Sequence, residues 1–281
     1  LNILNDQSIN INPNHADERG NTALILATGT GQAAIVNMLL ADERIDPNHA
    51  NEQGFTALIW AAFHGHIDIV RALLADRCVE PGYANHRGET ALMWAARRSH
   101  RNILCALLAD ERVDPNHANE RGNTALIWAA GMGQAAIINM LLADESIDPN
   151  HADEDGNTAL IWAAERGHSD IVDILFAHIR IDLSHADQAK KAIIAATKFE
   201  HDKTLGLLLK STGQRLSDDE IANLTERKQN FYKRILTRLF RRARFRGIVR
   251  AIMVFRRMRL RAAEAVYAPD GTGYAVAADS F

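Results

Sequence analysis

Residues Gly122-Asn123-Thr124-Ala125-Leu126-Ile127-Trp128-Ala129-Ala130 decide how this chain folds, because the same phrase is written five times. Its glycines stand at 20, 54, 88, 122 and 156, a constant step of 34 residues. A fixed period of this size is the signature of stacked units that touch only their neighbours and share one continuous core. The rarest residue type obeys the same period: all four tryptophans, Trp60, Trp94, Trp128 and Trp162, occupy one position of the phrase. They are therefore read as framework filling space between units rather than as an aromatic ligand cage.

Within a unit the pattern is helical. Thr56 can cap free N–H groups at the start of a helix, and Gly54 before it suits a tight turn that needs positive φ. Ala57, Leu58, Ala61 and Ala62 make that helix narrow, and Gly65-His66 breaks it. Ile69, Val70, Leu73 and Leu74 then form one apolar face of a second helix over 67–76. Asp46-Pro47, Glu80-Pro81, Asp114-Pro115 and Asp148-Pro149 mark the links between units as extended, since proline fixes φ and removes a donor.

The recurring Gly-x-Thr-Ala-Leu-x-x-Ala-Ala-x-x-Gly-His-x-x-Ile-Val-x-x-Leu-Leu resembles the ankyrin repeat over about residues 1–210. The resemblance implies an all-α ankyrin-repeat solenoid of antiparallel helix pairs with hairpin-like loops. It also implies a non-catalytic, intracellular role in binding another protein through the concave face. Two departures stand out. The usual Pro and His of the Thr-Pro-Leu-His phrase are Ala and an apolar residue here (Ile25, Ile59, Met93, Ile127, Ile161), so packing must replace the threonine-to-histidine hydrogen bonding. The period is 34 rather than 33, which places the extra residue in the Ala-Asp-Glu-Arg-Ile-Asp-Pro link.

The domain organisation follows. Residues 1–16 are a partial N-terminal repeat, because Asn12-Pro13-Asn14-His15-Ala16 matches Asp46-Pro47-Asn48-His49-Ala50. Five repeats occupy 17–186, and a degenerate repeat with surface lysines at 187–210 is the C-terminal cap that a solenoid needs. A linker covers 211–216, a basic helical region 217–267 opens with a capping box at Ser217-Asp218-Asp219-Glu220, and 268–281 is a disordered tail.

Charge divides the chain. Residues 1–226 carry 18 Lys/Arg against 32 Asp/Glu, a net −14, whereas 227–261 carry 14 Lys/Arg and no acid. Such asymmetry points to separate jobs or to one part binding the other. Cys78 and Cys105 fall at different repeat positions and are read as reduced thiols of an intracellular protein. No apolar stretch of about 18 residues is present to span a membrane. The expected location is cytoplasmic, the host cytosol if the source is a pathogen or virus.

Candidate sites are weighed against the repeat itself. His15, His49, His117, His151 and His185 recur at one position, but stacked units stand roughly 8–10 Å apart while zinc holds its ligands at about 2.0–2.1 Å. Adjacent members cannot share an ion, so a structural role is expected, with no metal and no cofactor. No catalytic triad order, phosphate loop or His-Glu-x-x-His appears, and no enzymatic activity is expected. The third repeat deviates most, with Ser99 in place of the usual glycine and Arg87, Arg97, Arg98 and Arg101 beside Phe55, Phe63 and His64 of the preceding repeat and Met132 of the next. These eight residues form the expected partner site, a basic and aromatic hot spot for an acidic segment. The competing reading is a solvated face that balances its acidic neighbours.

The second candidate is the basic amphipathic helix of 227–261, carried by Lys233, Arg234, Arg238, Arg241, Arg242, Arg246 and Arg250. Such a segment suits a calmodulin-like protein, an anionic membrane surface or nucleic acid, and it could equally dock on the acidic repeats of its own chain. A further alternative is a targeting module of a larger protein whose activity lies elsewhere.

Overall fold

The computed structural model describes residues 12–178 and 186–239. Helices come in pairs: α1 (Ala23–Gly29) with α2 (Ala33–Leu40), α3 (Ala57–His64) with α4 (Ile67–Ala75), and α5 (Ala91–Arg97) with α6 (Arg101–Leu108). The series continues with α7 (Ala125–Gly131) and α8 (Ala135–Leu142), α9 (Ala159–Arg166) and α10 (Ser169–Ala177), and α11 (Ala186–Lys198) and α12 (Asp202–Thr212). First helices stack on first helices and second on second, from α1 and α2 through to α11 and α12. Among the described residues there are isolated bridges, such as Ala84 with Thr90, but no strand. The fold is the all-α repeat solenoid.

Local chemistry starts each first helix where the repeated threonine stands. Thr22, Thr56, Thr90 and Thr124 are extended N-caps whose hydroxyls accept from the backbone N–H three residues on, at 3.3–3.4 Å. Thr158 caps in the same conformation without that bond. The apolar residue replacing histidine is buried in every unit: Ile25, Ile59, Met93, Ile127 and Ile161 are at most 3% exposed. Packing thus stabilises the position, as the sequence implied.

Successive units are tied by polar contacts that also follow the period. His49, His117 and His151 each place Nε2 at 3.0–3.1 Å from the carbonyl of Gly20, Gly88 and Gly122 in the preceding unit. His15 is exposed, and His185 lies outside the described residues. A second ladder packs histidine rings against the glycine that ends each first helix: a Cβ on Gly31, Gly65, Gly133 or Gly167 would meet His66, His100, His168 or His201 at 2.6–2.8 Å.

The rung between the third and fourth units departs from this ladder in both of its residues. Ser99 adopts φ +62° where its counterparts are glycine, and the facing residue is Gln134 instead of histidine. Gln134 reaches the Arg97 carbonyl at 2.8 Å, keeping the tie while leaving room for the serine Cβ. A left-handed conformation costs a non-glycine residue about 1–2 kcal/mol. Ser99→Gly is therefore expected to raise stability by about 1 kcal/mol, read as a higher urea midpoint with an unchanged slope.

The chain divides into two compact units, Leu1–Phe231 and Tyr232–Phe281. The first includes α13 (Asp218–Ala222), whose capping box is complete: Ser217 accepts from the Glu220 N–H, and the Glu220 carboxylate accepts from the Ser217 N–H at 2.6 Å. Hydrogen bonds to the Glu220 carboxylate from the Ser217 backbone N–H and then from its side chain hold that carboxyl below its ordinary range. Lys190 pairs with Glu220 at 3.6 Å, and Arg227 pairs with Glu200 through two contacts of 2.9 and 3.1 Å. A helix over 226–239 reaches the limit of the described residues there.

Candidate protein-recognition face

The first helices and the turn tips together present one face of the repeat stack. Each tip is shaped by a side chain that holds its own loop. Asn51, Asn85, Asn119 and Asp153 accept two backbone N–H groups through one oxygen, those of residues two and four positions on. Glycines at 54, 88 and 122 then turn with φ between +71° and +78°, and each lies against the backbone of the next tip. Side chains flanking these glycines are consequently projected in a regular row.

At the second and third units that row becomes one contiguous aromatic and cationic cluster. Trp60 touches Phe55 at 5.1 Å between ring centroids, Phe63 at 5.6 Å, and His64 in a stacked arrangement at 5.1 Å. Phe55 and Phe63 also reach across to Trp94 of the next unit, at 5.8 and 4.9 Å. Arg98 lies over the Phe63 ring at 4.1 Å, and Arg97 lies between two tryptophans, 4.9 Å from Trp94 and 4.5 Å from Trp128. Such contacts are worth about 0.5–1 kcal/mol each at exposed sites.

The cluster differs electrically from its surroundings. Glu89, 6% exposed, accepts from the Asn85 side chain at 3.0 Å and sits 4.0 Å from Arg97, so one arginine has a buried counter-charge. Arg98 is exposed, and among the described residues no carboxylate lies within ion-pair distance of it. Partial desolvation of its exposed ring, then coulombic repulsion from His66, Arg98 and His100, holds His64 below the ordinary histidine value of 6.5. The folded chain therefore binds fewer protons than the unfolded chain at this residue, and its contribution to stability, fully present above 6.5, is lost as pH falls from 6.5 through the lower folded-state value. The melting temperature of the wild-type chain is expected to fall more steeply between about pH 7 and pH 5 than that of His64→Gln.

The eight expected partner residues do not all meet. Phe55, Phe63, His64, Arg97 and Arg98 form the cluster. Arg87 is exposed on the third tip, where its carbonyl accepts from the Glu120 N–H at 3.1 Å. Arg101 opens α6, on the second-helix layer. Met132, 52% exposed, caps α7 and borders a separate cavity one unit away. Of the basic-helix residues, Lys233, Arg234 and Arg238 are exposed, while Arg241, Arg242, Arg246 and Arg250 lie outside the described residues. The expected tail at 268–281 also lies outside them.

That cavity, of about 500 Å³, was not foreseen from the tryptophan ladder. Trp128, Trp162, Met132 and Gly131 line it, with Asp153, Glu154 and Asp155 of the fifth tip. The tryptophans here are walls as well as spacers. A readable signal was available: Gly131 occupies the position that holds Phe63 and Arg97 in the two preceding units.

A family model for ankyrin repeats matches the chain in three copies, over residues 2–82, 77–153 and 136–219. The chain belongs to the ankyrin-repeat family, whose members are generally protein–protein interaction modules. No curated protein matches it. Among the described residues no helix is long and apolar enough to cross a membrane.

Proposed function

We propose that this chain is a non-catalytic adaptor that recognises a partner protein through the face formed by its first helices and turn tips, concave in ankyrin stacks. The recognition centre is the cluster of Phe55, Trp60, Phe63, His64, Trp94, Arg97 and Arg98, and the partner presents an acidic segment to it. One observation carries this reading: Arg98 is held over Phe63 at 4.1 Å, exposed, with no carboxylate of the described residues beside it. A guanidinium fixed on an aromatic ring has already lost rotamer freedom, so pairing it with a partner's carboxylate loses little further entropy. Arginine and aromatic anchors of this kind dominate interface energetics.

The rival reading gives recognition to the basic segment 227–261. Salt separates the two. Binding by charge alone to an anionic surface or nucleic acid collapses between low and moderate ionic strength, whereas a groove with aromatic anchors loses far less. The 281-residue chain, immobilised in a eukaryotic cytosolic lysate, is expected to retain a defined protein at moderate salt, and to do so equally after Lys233, Arg234 and Arg238 are replaced by Gln. Retention that requires those three residues and vanishes with salt contradicts the proposal.

A further inference from the structure

The repeat permits a comparison that a unique site would not. At one position of the first helix the second unit carries Phe63, the third Arg97 and the fourth Gly131. Phe63 lies edge-on to Trp94 of the next unit at 4.9 Å, and Arg97 lies over Trp128 of the next unit at 4.5 Å. Gly131 places nothing over Trp162, whose ring carbon Cε3 is 3.8 Å from where a Cβ would stand. The cavity of about 500 Å³ lined by Trp128 and Trp162 includes the position that a side chain occupies in the two preceding units. Gly29 stands at the same position before Trp60, but that ring is contacted by Phe55, Phe63 and His64 of its own unit.

We infer that this cavity is a second recognition site on the same face, and that it takes an arginine side chain from a basic segment of the partner protein. This deepens the adaptor reading and rests on it. Three features select a guanidinium. The chain itself solves the equivalent packing problem with Arg97, so the distance between consecutive tryptophans suits a planar cation. The adjoining tip is uniformly acidic: Asp153-Glu154-Asp155 stands where the fourth unit has Asn119-Glu120-Arg121. Trp162 is also the tryptophan whose indole N–H is anchored by a carboxylate, donating to Asp153 Oδ2 at 2.7 Å.

That anchor has a definite origin. The asparagines at 51 and 85 offer one side-chain oxygen, already taken by two loop N–H groups, and the indole nitrogens of Trp60 and Trp94 are buried without a partner. Aspartate adds a second oxygen. Asp153 thereby holds its loop and fixes the Trp162 ring, leaving Glu154 and Asp155, both exposed, for an incoming cation. Arg121 and Arg166 also line the cavity, and Arg166 lies over the Trp162 ring at 5.6 Å from its centroid, farther than Arg97 is from Trp128.

The test uses the full chain and a small probe, N-acetylarginine amide, followed on the four indole ¹⁵N–¹H signals. The expected result is a saturable shift of the Trp162 signal with a millimolar Kd, while Trp60 and Trp94 stay unmoved. Gly131→Arg supplies the missing side chain from within and is expected to weaken the probe at least about tenfold with the fold intact. Glu154→Gln with Asp155→Asn, both on the surface, is expected to weaken it about threefold. N-acetylnorleucine amide, similar in length and uncharged, is expected to leave Trp162 unmoved. The inference is overturned if N-acetylarginine amide does not move Trp162, if norleucine moves it equally, or if the shift survives in Gly131→Arg and in the surface variant. Such a failure leaves the Arg97 and Arg98 cluster untouched, because that reading is tested on the captured protein.

Discussion

Gly122→Ala is expected to lower stability by about 3 kcal/mol, while Gly131→Ala, nine residues away, is expected to raise it by about 0.5–1 kcal/mol. Gly122 turns with φ +72°, and a Cβ there would lie 2.8 Å from the Asp153 Cα and 2.9 Å from the Glu154 nitrogen. Both are backbone atoms and cannot swing aside. The left-handed conformation costs alanine about 1–2 kcal/mol, and forcing the tips apart breaks the 3.2 Å bond from the Glu154 N–H to the Arg121 carbonyl, worth about 1 kcal/mol. Gly131 ends α7 at a position where the added Cβ makes only ordinary contact with Trp162, so alanine there reduces the entropy of the unfolded chain at no steric cost. Urea unfolding of the two variants checks the pair. Hydrogen exchange adds a spatial readout: in a solenoid, Gly122→Ala should lose protection first in the fourth and fifth units.

The second large effect is on binding. Arg98→Glu combined with Arg97→Gln is expected to weaken capture of the partner at least tenfold, about 1.4 kcal/mol, without moving the melting temperature by more than a few degrees. Glutamine is preferred at 97 because a carboxylate there would face the buried Glu89, 4.0 Å from the present guanidinium, and would mix a folding defect with a binding defect. Arg98 has no such constraint. Titration of the captured partner by calorimetry measures the change. Unchanged affinity in a folded variant contradicts the assignment of the cluster.

The architecture was legible because it repeats. The 34-residue step, the threonine caps and the turn glycines at 54, 88 and 122 each appear several times, so local chemistry and register agree. Residues that depart from the repeat were harder to interpret. Arg97 and Arg98 could be recognised as unusual, and the structure brings both onto aromatic rings. Arg101 belonged to the same run of charge, yet it falls on the second-helix layer because the turn at Ser99-His100 intervenes. The cavity beside Trp162 arises from an absence, a glycine where the two preceding units carry Phe63 and Arg97, and absences carry weight only once the neighbouring rings are placed. The coupling of Ser99 with Gln134 is likewise invisible in one dimension, since the two residues are 35 positions apart and meet only through the stacking of units.

The central claim is that recognition belongs to the first-helix face. Its most direct measurement is site-specific photo-crosslinking of the full chain to the captured partner at moderate salt. A photoreactive residue is placed at His64 or Met132 on that face, at Asn102 on the exposed side of α6, or at Arg234 in the basic helix. The account predicts crosslinks from His64 and Met132 and none from Asn102. Crosslinks confined to Asn102 or Arg234 would contradict it.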